Sequence, residues 1–147
     1  MELTPIQERL EENSELIQNP LTRETVPVCV DFYKKVGFTP PWICYFAKHH
    51  DEFVAGAGFK GPPVNGSVEI AYGTFENFMR QGFGTAVCKQ LVELSFKTDP
   101  SIRITARTLP ESNYSTRILE KNKFVCLGLV QDPEDGPVWE WEYRGKE

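Results

Sequence analysis

Hydrophobic positions along this chain follow two different periods. Over the first forty residues the spacing is helical, with Ile6, Leu10 and Ile17 on one stripe and Cys29, Phe32, Tyr33 and Val36 on another. Local signals frame both stripes. Thr4 can cap the first, Pro5 suits a first helical turn, Gln7 completes a capping box and Asn19-Pro20 ends it, which predicts a helix over residues 4–18. A second helix is predicted over 27–36, with Gly37 as its C-cap.

After Pro40-Pro41 the period becomes two. Residues 43–47 and 53–59 read as a hairpin joined by the polar run Lys48-His49-His50-Asp51-Glu52, and residues 68–74 read as the next strand. A helix over 84–97 buries Val87, Cys88, Leu91, Val92 and Leu94. Then come a strand at 102–107, a helix over 112–122, and strands near 124–130 and 138–143. The order predicts an α/β (α+β) fold, a mixed and mostly antiparallel sheet flanked by helices.

The chain has 147 residues, 40% hydrophobic and 25% charged, which fits one globular domain and excludes disorder. No apolar run approaches the roughly 20 residues of a membrane helix. The acidic start Met-Glu-Leu-Thr-Pro lacks a secretory pattern, so a cytoplasmic protein without membrane partners is expected. Cys29, Cys44, Cys88 and Cys126 form no CxxC pair and read as small buried hydrophobes in a reducing compartment.

A net charge of −5 argues against nucleic acid as a partner. Residues 79–124 nevertheless hold eight basic against four acidic side chains, a local +4. That asymmetry suits an anionic ligand in one half and a cationic partner in the other, or simply solvated helix faces. Two other features carry less. His49-His50 beside Asp51-Glu52 reads as an exposed turn whose adjacent side chains point apart, so no metal site is expected. Trp139 and Trp141 alternate with Glu140 and Glu142, which gives a strand one aromatic face for the core or a subunit contact; monomer and homodimer both stay open.

Chemistry concentrates in two stretches. In the first, running from Glu69 to Ala86, a strand feeds a turn with Gly82 and Gly84 that opens a helix. Glycine permits positive φ and close backbone approach, and the unpaired N–H groups of a first helical turn suit phosphate. Arg80 can add a charge and Thr85 a hydroxyl. Alone this is neither a Walker loop nor a complete dinucleotide fingerprint, and a plain tight turn explains it as well. The second stretch, Thr108 to Phe124, follows a strand and opens another helix with Pro110, Ser112, Asn113, Ser115, Arg117 and Leu119-Glu120-Lys121.

Together the two stretches resemble the GNAT N-acetyltransferase superfamily, in particular the branch with the ribosomal-protein N-terminal acetyltransferases. The first is similar to its pyrophosphate loop, Gln/Arg-x-x-Gly-x-Gly/Ala. The second is similar to Pro-x-Asn-x-x-Ser-x-Arg-hydrophobic-Leu-Glu-Lys-x-Gly-Phe. The likeness covers about residues 42–130. Met79 begins the loop in place of Gln or Arg, Ser112 takes the Asn position with Asn113 one residue late, and Lys123 replaces the glycine. Leu119 stands where many members carry a tyrosine general acid, and no first strand is evident.

The resemblance implies a single domain over 1–147, with a helical acceptor side at 1–40 and an acetyl-CoA-binding core at 67–130. It implies acetyl-CoA as cosubstrate, with backbone contacts from Tyr72, Gly73 and Thr74. A pyrophosphate cradle would form from Arg80, Gln81, Gly82, Phe83, Gly84 and Thr85. Asn113 would meet the pantetheine arm and Ser115 the sulfur. The acceptor is a primary amine of unspecified identity, and Glu69, at the start of the strand that meets the thioester, is the candidate base. Backbone N–H donors would stabilise the oxyanion, and Tyr114 reads as a packing or substrate-wall residue. Two alternatives stay open: a CoA-binding module without efficient turnover, and an unrelated phosphate-ligand protein.

Overall fold

The computed structural model describes residues 1–145, and in it the apolar faces meet across one seven-stranded sheet. Its strands are β1 (Glu2–Pro5), β2 (Cys44–His49), β3 (Glu52–Phe59), β4 (Ser67–Thr74), β5 (Arg103–Thr108), β6 (Phe124–Asp132) and β7 (Gly136–Tyr143). They lie in the order β1-β2-β3-β4-β5-β7-β6. The β4–β5 pair is parallel, and the other neighbours are antiparallel. The expected mixed sheet flanked by helices is therefore what forms.

A parallel pair needs a crossover, supplied here by α3 (Phe83–Thr98). Its stripe Val87, Cys88 and Leu91 is fully buried beside Val68 and Ile70 of β4. Each large side chain so buried stabilises the fold by about 1.5–3 kcal/mol. Leu94 stays half-buried, and Ser95 takes the inward position, its hydroxyl donating to the Leu91 carbonyl at 2.7 Å. α4 (Tyr114–Lys121) follows β5 and packs on α3.

The predicted helix over residues 4–18 does not form. Residues 2–5 instead pair with β2, Thr4 opposite Phe46, and Ile6 becomes 1% exposed. Only α1 (Ser14–Gln18) is α-helical there, after one 3-10 turn at Leu10–Glu12. The competition is quantitative: a Thr cap is worth about 1 kcal/mol. Burying an isoleucine gives about 1.5–3 kcal/mol, and each ladder hydrogen bond adds about 0.5–1.5 kcal/mol. Pro5 is tolerated because it ends an edge strand. Gln7 donates its N–H to the buried Asn13 side chain at 2.7 Å instead of closing a capping box. The first forty residues are thus strand, loop and helices, not helical throughout.

The second predicted helix is α2 (Thr25–Val36), with Gly37 at φ 89° accepting the C-cap role and donating to the Tyr33 carbonyl. The Tyr33 hydroxyl donates to the Ile6 carbonyl at 2.8 Å and accepts the Cys44 N–H at 2.9 Å, so α2 is tied to β2. The histidine turn differs from expectation too. Positive φ at His50 and Asp51 folds the turn so tightly that the His49 and His50 rings meet at 4.0 Å, and His49 packs on Phe83 at 4.9 Å. Trp141 is buried and donates its indole N–H to Thr108 Oγ1 at 3.0 Å, in line with an aromatic core face on β7. No helix among the described residues is long and apolar enough to cross a membrane.

Candidate active site

The site begins where the sheet fails to close. β4 and β5 pair through Ser67–Arg103, Val68–Ile104 and Glu69–Thr105, and there the register ends. β4 continues to Thr74 paired only with β3. From Ile70 onward its groups facing β5 are left without a ladder partner, which opens a cleft through the sheet. The cleft holds about 90 Å³, with Glu69, Ala71 and Tyr72 on one side, Arg107 and Thr108 on the other, and Ser115 and Leu119 of α4 as a wall.

Two larger cavities flank it. One, of about 290 Å³, is bounded by Tyr72, Gly73, Thr74, Met79, Asn113, Tyr114 and Ser115. The other, of about 440 Å³, lies between α2 and strands β2–β4. Tyr72 and Ser115 belong to both the cleft and the first cavity, while Lys60, Ala71 and Tyr72 belong to both the cleft and the second. The three spaces adjoin one another across these shared walls.

The glycine turn divides its labour. Gly82, at φ 85°, is the N-cap of α3 and brings no capping side chain, so the first-turn N–H groups keep their capacity for an anion. Arg80 also has positive φ, 66°, and is exposed. Gly84 behaves differently from expectation, because it lies inside α3 without a left-handed φ. A Cβ there would sit 2.5 Å from Ile118 Cδ1 and 3.0 Å from Thr74 Oγ1 and Tyr114 Oη. Its missing side chain lets α3 approach α4 and β4, which is a packing role. Phe83 packs on His49 and Phe78, and the Thr85 carbonyl accepts the Asn122 amide. The Gln81 side chain turns back to the Asn77 carbonyl at 3.3 Å and does not reach the cleft.

At the start of α4, Asn113 Oδ1 accepts the Thr116 N–H at 3.0 Å, and Thr116 Oγ1 accepts the Asn113 N–H at 2.8 Å. Asn113 is therefore first a helix cap, worth about 1 kcal/mol, that also borders the 290 Å³ cavity. The Tyr72 hydroxyl donates to the Ser115 carbonyl at 3.1 Å and fixes α4 to β4, and burial pushes that phenol's pKa up. Tyr114 brings its hydroxyl 3.4 Å from Thr74 Oγ1, as a wall residue.

Glu69 sits at the point of divergence, half-buried. Burial raises its pKa, and the Lys60 ammonium, 3.6 Å from Glu69 Oε2, opposes that shift together with Arg107. Arg107 is held in turn by Asp132 at 2.9 Å and Glu140 at 3.5 Å. Asp132 is pulled down to about 2 by the Asp135 N–H, the Arg107 guanidinium and the Glu134 N–H. Sequence reasoning missed Lys60, Arg107 and Asp132 as a group. Lys60 stands just before Gly61-Pro62-Pro63, but nothing local links it to charges 47 and 72 residues further on.

Comparison with known proteins agrees with this architecture. The GNAT acetyltransferase domain matches residues 7–125. The uncharacterized N-acetyltransferase p20 of Bacillus licheniformis is 31% identical over 88 residues, 59% of this chain and 49% of that protein. The matched part thus spans about half the length of that curated relative. Among solved structures, the RimL ribosomal L7/L12 alpha-N-protein acetyltransferase in complex with coenzyme A superposes with a TM-score of 0.67 at 17% identity, over 95% of this chain and 91% of that one. The aminoglycoside acetyltransferase AAC(6')-Ib in complex with ribostamycin and coenzyme A gives 0.69 at 20% identity, over 99% and 94%. A chimera of spermidine N-acetyltransferase SpeG from Vibrio cholerae gives 0.68 at 13% identity, over 97% and 95%. The chain belongs to the GNAT acetyltransferase family, whose cosubstrate is acetyl-CoA.

Proposed function

We propose that this chain transfers the acetyl group of acetyl-CoA to a primary amine by direct attack on the thioester. The observation that carries the proposal is the cleft that opens where β4 and β5 part, lined by Glu69 and Ser115 and sharing walls with two larger cavities. Acetyl-CoA would supply the activated thioester. The residues fit it: the uncapped start of α3 with Arg80 and Gly82 suits the pyrophosphate. The unladdered edge of β4 at Tyr72, Gly73 and Thr74 suits an amide-bearing arm. Residues 67–130 would form the cofactor-binding core of one domain, and residues 1–40 with the hairpin would form the acceptor side.

The acceptor must be neutral to attack, yet α-amines have a pKa of about 7.7–8.0 and lysine about 10.4. Glu69 takes that proton, directly or through water; its raised pKa brings it nearer the amine's and eases the transfer. Free N–H groups of β4 beyond Glu69 face the carbonyl oxygen as it becomes negative. The Ser115 hydroxyl provides a proton path to the departing sulfur, because Leu119 offers only an apolar wall where a tyrosine would stand.

Thermal unfolding with acetyl-CoA, with ATP and NAD as controls, tests the first half. Ligand at 100 times its Kd stabilises by about 2.7 kcal/mol, a rise of several degrees for this size. Glu69→Gln tests the second half: turnover should fall by roughly 10²–10⁴-fold with acetyl-CoA binding retained. Undiminished turnover would refute Glu69 as the base. Binding without turnover on any amine would favour the CoA-binding module.

A further inference from the structure

The 440 Å³ chamber borders the cleft through Lys60, Ala71 and Tyr72, and most of its wall is apolar. Ile6, Val28, Phe32, Phe46 and Phe59 line it, with Cys29 and Cys44 between them. Its size falls within the usual range for ligand pockets, roughly 300–1,000 Å³. Gly56, on the strand floor, leaves room rather than filling it. A Cβ added there would find nothing closer than Phe46 Cε1 at 4.0 Å. At the mouth, Val28 of α2 is 66% exposed and extends the apolar surface outward.

Charge is scarce. Among the described residues lining the chamber, Glu134 is the one carboxylate and Lys60 the one ammonium, and Lys60 sits at the cleft end beside Glu69. An amine with several ammonium groups would have to desolvate all of them against this wall with one carboxylate for compensation. An amine with an apolar body instead loses its hydrocarbon surface from water and keeps its single nitrogen at the cleft. Glu69 lies on the same face of β4 as Ala71, which lines the chamber, so one carboxylate meets one amine.

We propose that the acceptor is a primary amine on an apolar, otherwise uncharged body, seated between α2 and strands β2–β4. This rests on the acetyltransferase reading above. The chemistry has two sources, a free small amine and the first residue of a peptide with an apolar side chain.

The experiment compares kcat/KM, by mass detection of acetylated product, for phenethylamine, leucinamide, the C-terminally amidated tripeptide Leu-Ala-Ala and spermidine, after calorimetry has measured acetyl-CoA binding. The apolar amines should exceed spermidine by at least about tenfold. Leucinamide against the tripeptide separates the two sources. Val28→Asp, at an exposed position, and Gly56→Val, which fills the chamber, should each lower kcat/KM for the apolar amines by about tenfold, mainly through KM. Acetyl-CoA affinity should not change in either. As a readout independent of turnover, phenethylamine should protect Cys44 from iodoacetamide while exposed Cys126 still reacts. Spermidine equal to or better than the apolar amines, or no turnover of any amine despite acetyl-CoA binding, overturns the inference. Failure to bind acetyl-CoA removes the acetyltransferase reading itself.

Discussion

Gly84→Ala asks whether the second glycine of the turn serves a ligand or the fold. Its backbone is ordinary helix, so helix propensity alone favours alanine by about 1 kcal/mol. The new Cβ, however, would lie 2.5 Å from Ile118 Cδ1 and 3.0 Å from Thr74 Oγ1 and Tyr114 Oη. Ile118 is 3% exposed and has little space to retreat. Overpacking of a filled core costs about 1–3 kcal/mol; a contact at 2.5 Å against a buried side chain falls in the upper half of that range, about 2–3 kcal/mol, so the net expectation is a loss of about 1–2 kcal/mol. For a chain of this length that lowers Tm by roughly 2–8 °C. Ile118→Val deletes the atom in closest conflict and alone costs about 0.5–1.5 kcal/mol. Combined with Gly84→Ala it should cost less than the sum, with a coupling of at least about 0.5 kcal/mol. Urea unfolding of the four proteins measures this cycle. Gly84→Ala as stable as wild type, or a strictly additive double variant, would refute the packing account. Unchanged stability with weakened acetyl-CoA binding would restore the ligand role.

Glu69 also predicts a pH profile: the acid limb of kcat/KM lies above the ordinary carboxylate range because burial raises its pKa, and Glu69→Gln abolishes that limb. The linkage has the matching sign. A raised folded pKa gives a stability contribution that is full below the unfolded value of about 4.3 and is lost as pH rises through the folded one. Asp132 has the opposite sign. Its contribution is present above the unfolded value of about 3.9 and lost as pH falls through about 2. Asp132→Asn should lower Tm at neutral pH, with the gap to wild type closing over that acid window; a gap independent of pH would show that the Arg107 pair is not its source.

Strands β2–β5 and helices α2 and α3 were legible because their side-chain periods and their glycine and proline boundaries agree within a few residues. The glycine turn before α3 and the start of α4 were legible for a related reason: helix starts are built from consecutive residues. Gly84 shows where that stops. One sequence pattern, Gly-x-Gly before a helix, serves two physical ends, a left-handed cap at Gly82 and a close helix contact at Gly84. Only knowing that Ile118 packs there tells them apart. Likewise the turn at His49-His50 was visible, while the packing of His49 on Phe83 depended on the tertiary structure that sets them side by side.

The sequence by itself determined the alternation of elements, the buried stripe of α3 and the glycine turn that opens it, all of which arise from short-range sterics and periodicity. Tertiary structure decided the fate of residues 2–5, because the open edge of β2 and a buried site for Ile6 outweighed a local capping signal. It also decided the cleft between β4 and β5. Nothing in β4 or β5 alone says that their pairing stops at Glu69 and Thr105; the divergence exists because β4 stays laddered to β3 while β5 follows β7. The chamber beneath α2 has the same origin, since its walls come from segments far apart in the chain and its volume is what their packing leaves unfilled.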